Sequence, residues 1–254
     1  MRTSLEGLAR PLLTVAGLIL VWQCAVIFTG VPHYLLPSPV RVLQVLVDRP
    51  GLIAWHAAVT GFEVILGLAI GVAVGALAAI ALAGFTPARR WLLPVIVASQ
   101  AVPVFAVAPL LALWFGYGIA SKVAVAVLVI FFPVTATFYD GLRRTASGWL
   151  ELAHTMNAGR RAILLQIRLP SALPAFGSGL RVAAAVTPIG AVVGEWVGSS
   201  AGLGYLMLHA NGRMQTDLVF AALLVLCLMA VALWFAVDRL LKHLIYWRPE
   251  TAET

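Results

Sequence analysis

The chain has 254 residues, of which 62% are hydrophobic and only 11% charged, with a mean hydropathy of +0.99. A soluble domain carries roughly twice that charged fraction, so a soluble globular fold is excluded. The formal net charge of +7 does not point to nucleic acid, because the basic residues are distributed as in a membrane protein.

In chain order, the first element is a membrane helix at about residues 11–29. Its apolar run is long for a signal-peptide core and no small-residue cleavage site follows it, so it reads as uncleaved. Next comes LLPSPVRVLQVLVD. Ser38 and Pro39 suit a helix start, and Val42, Leu43, Leu46 and Val47 fall on one face. That pattern predicts a short amphipathic helix on the outer surface. Further spans are expected at about 57–83, 91–114, 120–140, 172–197 and 217–241, which makes six in all. Val64 to Ala83 and Leu218 to Val237 are each twenty residues without a charge, enough to cross hydrocarbon as a helix. Pro94, Pro103 and Pro109 are expected to interrupt the third span and Pro188 the fifth. A membrane tolerates such breaks where neighbouring helices or a wet cavity satisfy the freed backbone groups. Gly67, Gly71 and Gly75, continued by Ala79 and Ala83, form a smooth helix-packing face. Cys24 and Cys227 lie in apolar segments and read as small buried hydrophobes.

Orientation follows from Lys and Arg. With the N-terminus in the cytoplasm, that side carries Arg2, Arg10, Arg89, Arg90, Arg143, Arg144, Arg160, Arg161, Arg168, Arg239, Lys242 and Arg248. The outer side carries Arg41, Arg49, Lys122 and Arg213, and Arg181 lies within a span. This positive-inside bias puts both termini and the 141–170 stretch in the cytoplasm.

Several motifs offer chemistry. The only lysines, Lys122 and Lys242, do not directly follow a glycine, so there is no phosphate-binding loop of the G-x-x-x-x-G-K type. Any ATP chemistry must come from a partner. Gly198 to Gly202 matches G-x-S-x-G, which works only on a strand-to-helix turn with an acid and a base around it. A membrane hydrolase using Ser200, with His209 as its nearest base in sequence, remains as an alternative. So does an ion channel built on Phe115-Gly116-Tyr117-Gly118, although a plain turn between two spans explains those residues. Glu63, Arg181 and Glu195 are ionisable groups inside spans, and Gln100 is an uncharged counterpart. Gln100, Pro103, Arg181 and Glu195 are taken as candidate pathway residues. No metal site is expected.

The stretch ELAHTMNAGRRAILLQIRLPSALP, Glu151 to Pro174, is a polar island in this oily chain. Ser147 and Gly148 can start a helix with Glu151 in its first turn. Trp149, Leu152 and Met156 give that helix an apolar side. Asn157, Ala158 and Gly159 break the pattern, and Asn and Gly readily adopt left-handed backbone. A second short helix, about 160–168, carries Ile163, Leu164 and Ile167 on one side, and Pro170 is expected to end it. The product is a helix-turn-helix elbow.

At these residues the chain resembles the inner-membrane permease subunits of binding-protein-dependent ABC importers. Their signature is E-A-A, three residues, Gly, nine residues, Ile, one residue, Leu-Pro. Glu151-Leu152-Ala153 occupies the E-A-A positions, Ile167 the isoleucine and Leu169-Pro170 the ending, with the spacing kept throughout and Asn157 at the glycine position. LLPSPVRVL, the glycine-spaced span, AVPVFAVAPLLALWFGYG and SSAGLGYLM are similar to the nitrate, sulfonate and taurine branch, from about Leu35 onward. The resemblance implies an all-α, type I (MetI-like) permease fold and a transport subunit rather than an enzyme. The organisation expected is an N-terminal helix 1–30, an external amphipathic segment 31–56, a core permease domain 57–245 with a coupling segment 145–170, and a cytoplasmic tail 246–254.

The resemblance further implies a bacterial inner-membrane location and a homodimer of permeases. It implies two ABC ATPase subunits that carry the ATP and Mg, and a solute-binding protein that delivers the ligand, with no cofactor on this chain. The segment from Glu151 to Gly159 would be the coupling helix. An arginine is expected near Gln100 in many members; its absence weakens the case for a sulfonate-, nitrate- or taurine-like anion, which stays open as a substrate. GEWVGSSAGLGYLMLHANGRMQTD is similar to permeases for pyrimidine precursors of thiamine.

Overall fold

The computed structural model describes residues 2–247, with side chains from residue 13 onward except at Thr86. Met1 and Arg248, with the rest of the expected tail beyond Trp247, lie outside the described residues.

Among the described residues the chain is helical, without strands. The helices are α1 (Arg2–Thr29), α2 (Pro39–Asp48), α3 (Pro50–Gly84), α4 (Thr86–Ser99), α5 (Val104–Phe115), α6 (Ile119–Arg143), α7 (Ser147–Thr155), α8 (Arg160–Ala162), α9 (Leu169–Trp196), α10 (Leu203–Gly212) and α11 (Thr216–Leu244). A π-helical turn, Ile163–Arg168, joins α8 to α9, so Arg160–Trp196 is one helical rod of 37 residues. At 1.5 Å per residue it is roughly 55 Å long, well beyond the hydrocarbon thickness of about 30 Å.

Four stretches are long and apolar enough to cross a membrane: α3, α6, Arg160–Trp196 and α11. A fifth crossing is α4 and α5 taken together, bent by 106°. The apolar part of α1, Leu13–Thr29, is shorter, and Trp22 packs it on Phe220 of α11 at 5.6 Å between ring centroids.

The helix breaks are fewer than the prolines suggest. Within the expected third span the chain turns at Gln100–Pro103, where Pro103 has no N–H to continue the ladder and disfavours helical backbone at Val102. Pro94 and Pro109 stay inside α4 and α5, and Pro188 stays inside an unbroken α9. Close packing of α9 on α6 keeps the helix running through Pro188 despite one lost hydrogen bond. Pro170 likewise does not stop its helix. The preceding π turn, in which Leu169 N–H donates to Leu164 O, widens the backbone. The proline ring then avoids the carbonyl clash it would meet in a regular turn.

The bundle is organised around α6, which packs on α3 on one side and α9 on the other. A Cβ added to Gly67 would lie 2.7 Å from Ala126 Cβ, and one added to Gly75 3.0 Å from Val134 Cβ. From the other side, a Cβ at Gly190 would lie 2.9 Å from Ala126 Cα, and one at Gly194 3.0 Å from Lys122 Cα. The small residues therefore let backbones touch. Thr135 Oγ1 adds a hydrogen bond to Gly75 O across the seam (3.2 Å).

Two apolar clusters mark the ends of the bundle. Val42, Ile53, Leu203, Leu206 and Leu218 gather at one end, and Leu82, Phe138, Leu142 and Ala172 at the other. Thus α3, α6 and α11 run from the first end to the second, and α9 runs back. Along the spans, Ile65, Leu77, Leu228 and Phe235 are exposed, as helices facing lipid tails require. Cys227 is among the exposed residues and Cys24 is half-buried; both are free thiols. Cys227 is not buried as expected, because it lies on the exposed side of α11 with Leu223, Leu228 and Val231.

Candidate functional site

The elbow leaves the bundle beside Leu142. Ala146, not Ser147, occupies the N-cap of α7, and no side chain caps it. Glu151 is the fifth residue of the helix and so sits beyond the first turn. Ala153 is the one buried residue of α7. Trp149, Leu152 and Met156 are 64%, 52% and 73% exposed, so most of the apolar side faces outward.

The turn that ends α7 is fully specified by hydrogen bonds. Asn157 has φ 54°, in the left-handed region. Its N–H donates to His154 O (3.0 Å), and Ala158 N–H donates to Ala153 O (2.9 Å). This pair of bonds is the Schellman motif, with Asn at the position that most often carries Gly. Gly159 is extended, at φ −68° and ψ 156°, so Asn157 alone supplies the left-handed residue. Asn157→Val is expected to cost about 1–2 kcal/mol of turn stability, seen as faster hydrogen exchange at the Asn157 and Ala158 amides. Asn157→Gly should leave that exchange unchanged or slower.

Beyond the turn, Leu169 joins the apolar cluster at the elbow end. Ile167 and Pro170 line a cavity of about 470 Å³ together with Arg144, Gln166, Trp149 and Trp247. Arg143 lies over the Tyr139 ring, 5.5 Å from its centroid.

The four candidate pathway residues occupy different settings. Gln100 and Pro103 are exposed at the α4–α5 bend. Arg181 is paired with Asp238 of α11, Nε to Oδ1 2.7 Å, and Lys242 approaches the same carboxylate at 3.3 Å. Glu195 is 1% exposed, far from the elbow. Its Oε1 accepts from Thr60 Oγ1 at 2.6 Å, and its Oε2 accepts from the N–H groups of Gly204 and Tyr205. Glu63, also 1% exposed, accepts from Lys122 Nζ at 2.8 Å.

Sequence reasoning did not find Thr60, His56, Lys122 or Asp238. Lys122, one of the charges counted on the outer side, is buried there, and Glu63 on the facing helix neutralises it. The only available signal was a carboxylate on one span and a lysine on another, without a register to join them.

The other motifs are inert in this geometry. Ser200 is exposed and has no hydrogen bond to His209, whose Nδ1 faces Tyr205 O at 3.2 Å. Phe115 to Gly118 is a short turn from α5 into α6, with Gly116 at φ 78° capping α5. Among the described residues, no three His, Cys, Asp or Glu side chains could hold a metal ion.

An all-α bundle of membrane-crossing helices, with a polar elbow between two of them, defines a polytopic permease-type membrane protein. Residues 71–245 match the family described as binding-protein-dependent transport system inner membrane component, and the chain belongs to that family. A probable ABC transporter permease of Haemophilus influenzae is 54% identical over 94% of this chain and 98% of its own length. The formylaminopyrimidine transport permease of Halalkalibacterium halodurans is 38% identical over 98% of this chain and 99% of its own. The riboflavin transport permease of Chloroflexus aurantiacus is also 38% identical, over 92% and 88%. A solved inward-facing methionine ABC transporter shares the fold, with a TM-score of 0.59 at 20% identity over 79% of this chain and 96% of that one. The protein is a permease subunit of an ABC importer, not an enzyme, so the hydrolase and channel readings are not favoured.

Proposed function

We propose that the α7 elbow docks this subunit onto a separate ABC ATPase in the cytoplasm. The observation that carries this reading is the exposed apolar face of Trp149, Leu152 and Met156 on a helix outside the spans. Solvent-exposed apolar clusters of this kind mark protein contacts. Glu151 and the turn at Asn157, Ala158 and Gly159 complete the docking surface. The basic residues Arg143, Arg144, Arg160 and Arg161 beside the elbow support a cytoplasmic position for it under the positive-inside rule. Two copies of the chain would form the pathway in the inner membrane, with two ATPases binding ATP and Mg and a solute-binding protein outside. Replacing Leu152 and Met156 together with Glu should abolish co-purification of the ATPase, while the permease stays monodisperse. Retained ATPase binding in that variant would refute the docking assignment.

For the solute, we infer an uncharged nitrogen heterocycle of the aminopyrimidine class. Support comes from the two relatives at 38% identity, named for a formylaminopyrimidine and for riboflavin, against 30% for those named for aliphatic sulfonates and taurine. Gln100, rather than a cation, at the exposed α4–α5 bend fits a neutral cargo. The test is uptake of radiolabelled formylaminopyrimidine and of taurine by cells expressing the whole importer. Uptake of taurine alone would overturn this substrate class.

A further inference from the structure

Three residues of α3 share one face of the helix: His56, Thr60 and Glu63, spaced four and three apart. All three are buried, and all three hold a partner far away in sequence. Glu63 binds Lys122 of α6. Thr60 donates its hydroxyl proton to Glu195 in the last turn of α9 and accepts from Leu203 N–H at 2.7 Å. His56 Nδ1 accepts from Gly202 N–H at 3.0 Å. Glu195 in turn accepts from Gly204 and Tyr205 N–H at the start of α10. The segment from Gly202 to Tyr205 is therefore bonded to α3 and α9 at once. Its helix N-terminus, where N–H groups carry partial positive charge, faces a carboxylate that has no cation of its own.

The tightness of this joint is visible at Gly202. It has φ 112°, and an added Cβ would fall on the Glu195 carboxyl group, so no other residue fits there. In so buried a setting, such bonds are stronger than at a surface. By contrast, α2 is tied to α11 at the same end by the part-exposed Arg41–Asp217 pair at 3.8 Å, a type worth little.

Glu195 also stands at the far end of the rod that begins at the elbow, with no helix break from Arg160 to Trp196. We infer that Glu195, Thr60 and His56 are positioning residues that lock the Gly202–Tyr205 segment to α9. A displacement of the elbow then reaches the outer end of the bundle as movement of this cap. The inference rests on the elbow being the ATPase contact.

The test uses the full importer in nanodiscs, with Cys24 and Cys227 replaced by Ala and a single reporter cysteine. One reporter is Ser200→Cys, in the exposed part of the cap loop, and the other is Arg144→Cys, beside the elbow. Maleimide labelling rates are compared between the nucleotide-free and the ATP-vanadate-trapped states. In the parent protein both positions should change rate severalfold on trapping. Thr60→Val keeps the side-chain shape and removes the bridging hydroxyl. It should lose the response at position 200 while keeping it at position 144, and Thr60→Ser should restore it. His56→Phe, which removes the acceptor for Gly202, should give the same selective loss. A full response at position 200 in both variants would overturn the inference, as would loss at both positions together. Absence of any response at position 144 in the parent would instead remove the docking assignment itself.

Discussion

Lys122→Met should lower the stability of the folded bundle by about 3–5 kcal/mol, the usual cost of stripping one partner from a buried ion pair. Lys122 Nζ sits 2.8 Å from Glu63 Oε1, with both side chains at or below 9% exposure. The other carboxylate oxygen, Glu63 Oε2, has no hydrogen-bond partner. Without the ammonium, Glu63 would have no charge partner between α3 and α6, at a level where Gly194 packs directly on the Lys122 backbone. Replacing both residues, Glu63→Leu with Lys122→Met, should recover most of the loss, because two apolar side chains of similar volume need no counterion. The measurement is thermal or denaturant unfolding of the purified protein in detergent. Equal losses in the single and double variants would mean that the pair contributes by shape rather than by charge.

What was legible in the sequence divides along a physical line. Properties carried by neighbours in the chain could be read directly. The elbow's helix, its break and the left-handed backbone at Asn157 follow from residues within one turn of each other. The fourfold spacing of Gly67, Gly71 and Gly75 lies on one helix. Properties that depend on two spans meeting could not be read, since hydropathy carries no register between helices. Thr60 and Glu195 are 135 residues apart, and no local pattern pairs them. Lys122 meets the same limit: its charge is visible in the sequence and its partner on α3 is not.

The prolines show a third case. Each proline removes one N–H, but whether the helix breaks depends on its surroundings. At Pro103 the chain turns by 106° between α4 and α5, in a region exposed on most sides. At Pro170 and Pro188 the helix continues, through a π turn in the first case and against the flank of α6 in the second. A rule based on the residue alone could not separate these outcomes.

Ala126 is where the seam is narrowest, and it gives the second large effect. It is 1% exposed and lies between Gly67 of α3 and Gly190 of α9. In Gly67→Ala, the new Cβ would lie 2.7 Å from Ala126 Cβ, closer than two carbon atoms can rest. The helices must separate, and overpacking of this kind costs about 1–3 kcal/mol. That outweighs the gain of about 1 kcal/mol that Ala brings over Gly in a helix. The next atom behind the clash is Ala126 Cα at 4.0 Å, an ordinary contact distance. Exchanging the two residues, Gly67→Ala with Ala126→Gly, therefore moves the methyl group from one side of the seam to the other and should restore the parent's unfolding midpoint. Gly190→Ala should not be rescued by Ala126→Gly, because its nearest neighbour is the Ala126 backbone at 2.9 Å, which the exchange leaves in place. Rescue of both variants would mean that the helices yield to a methyl group more readily than backbone contact allows. Rescue of Gly67→Ala alone is the result a seam closed backbone to backbone requires.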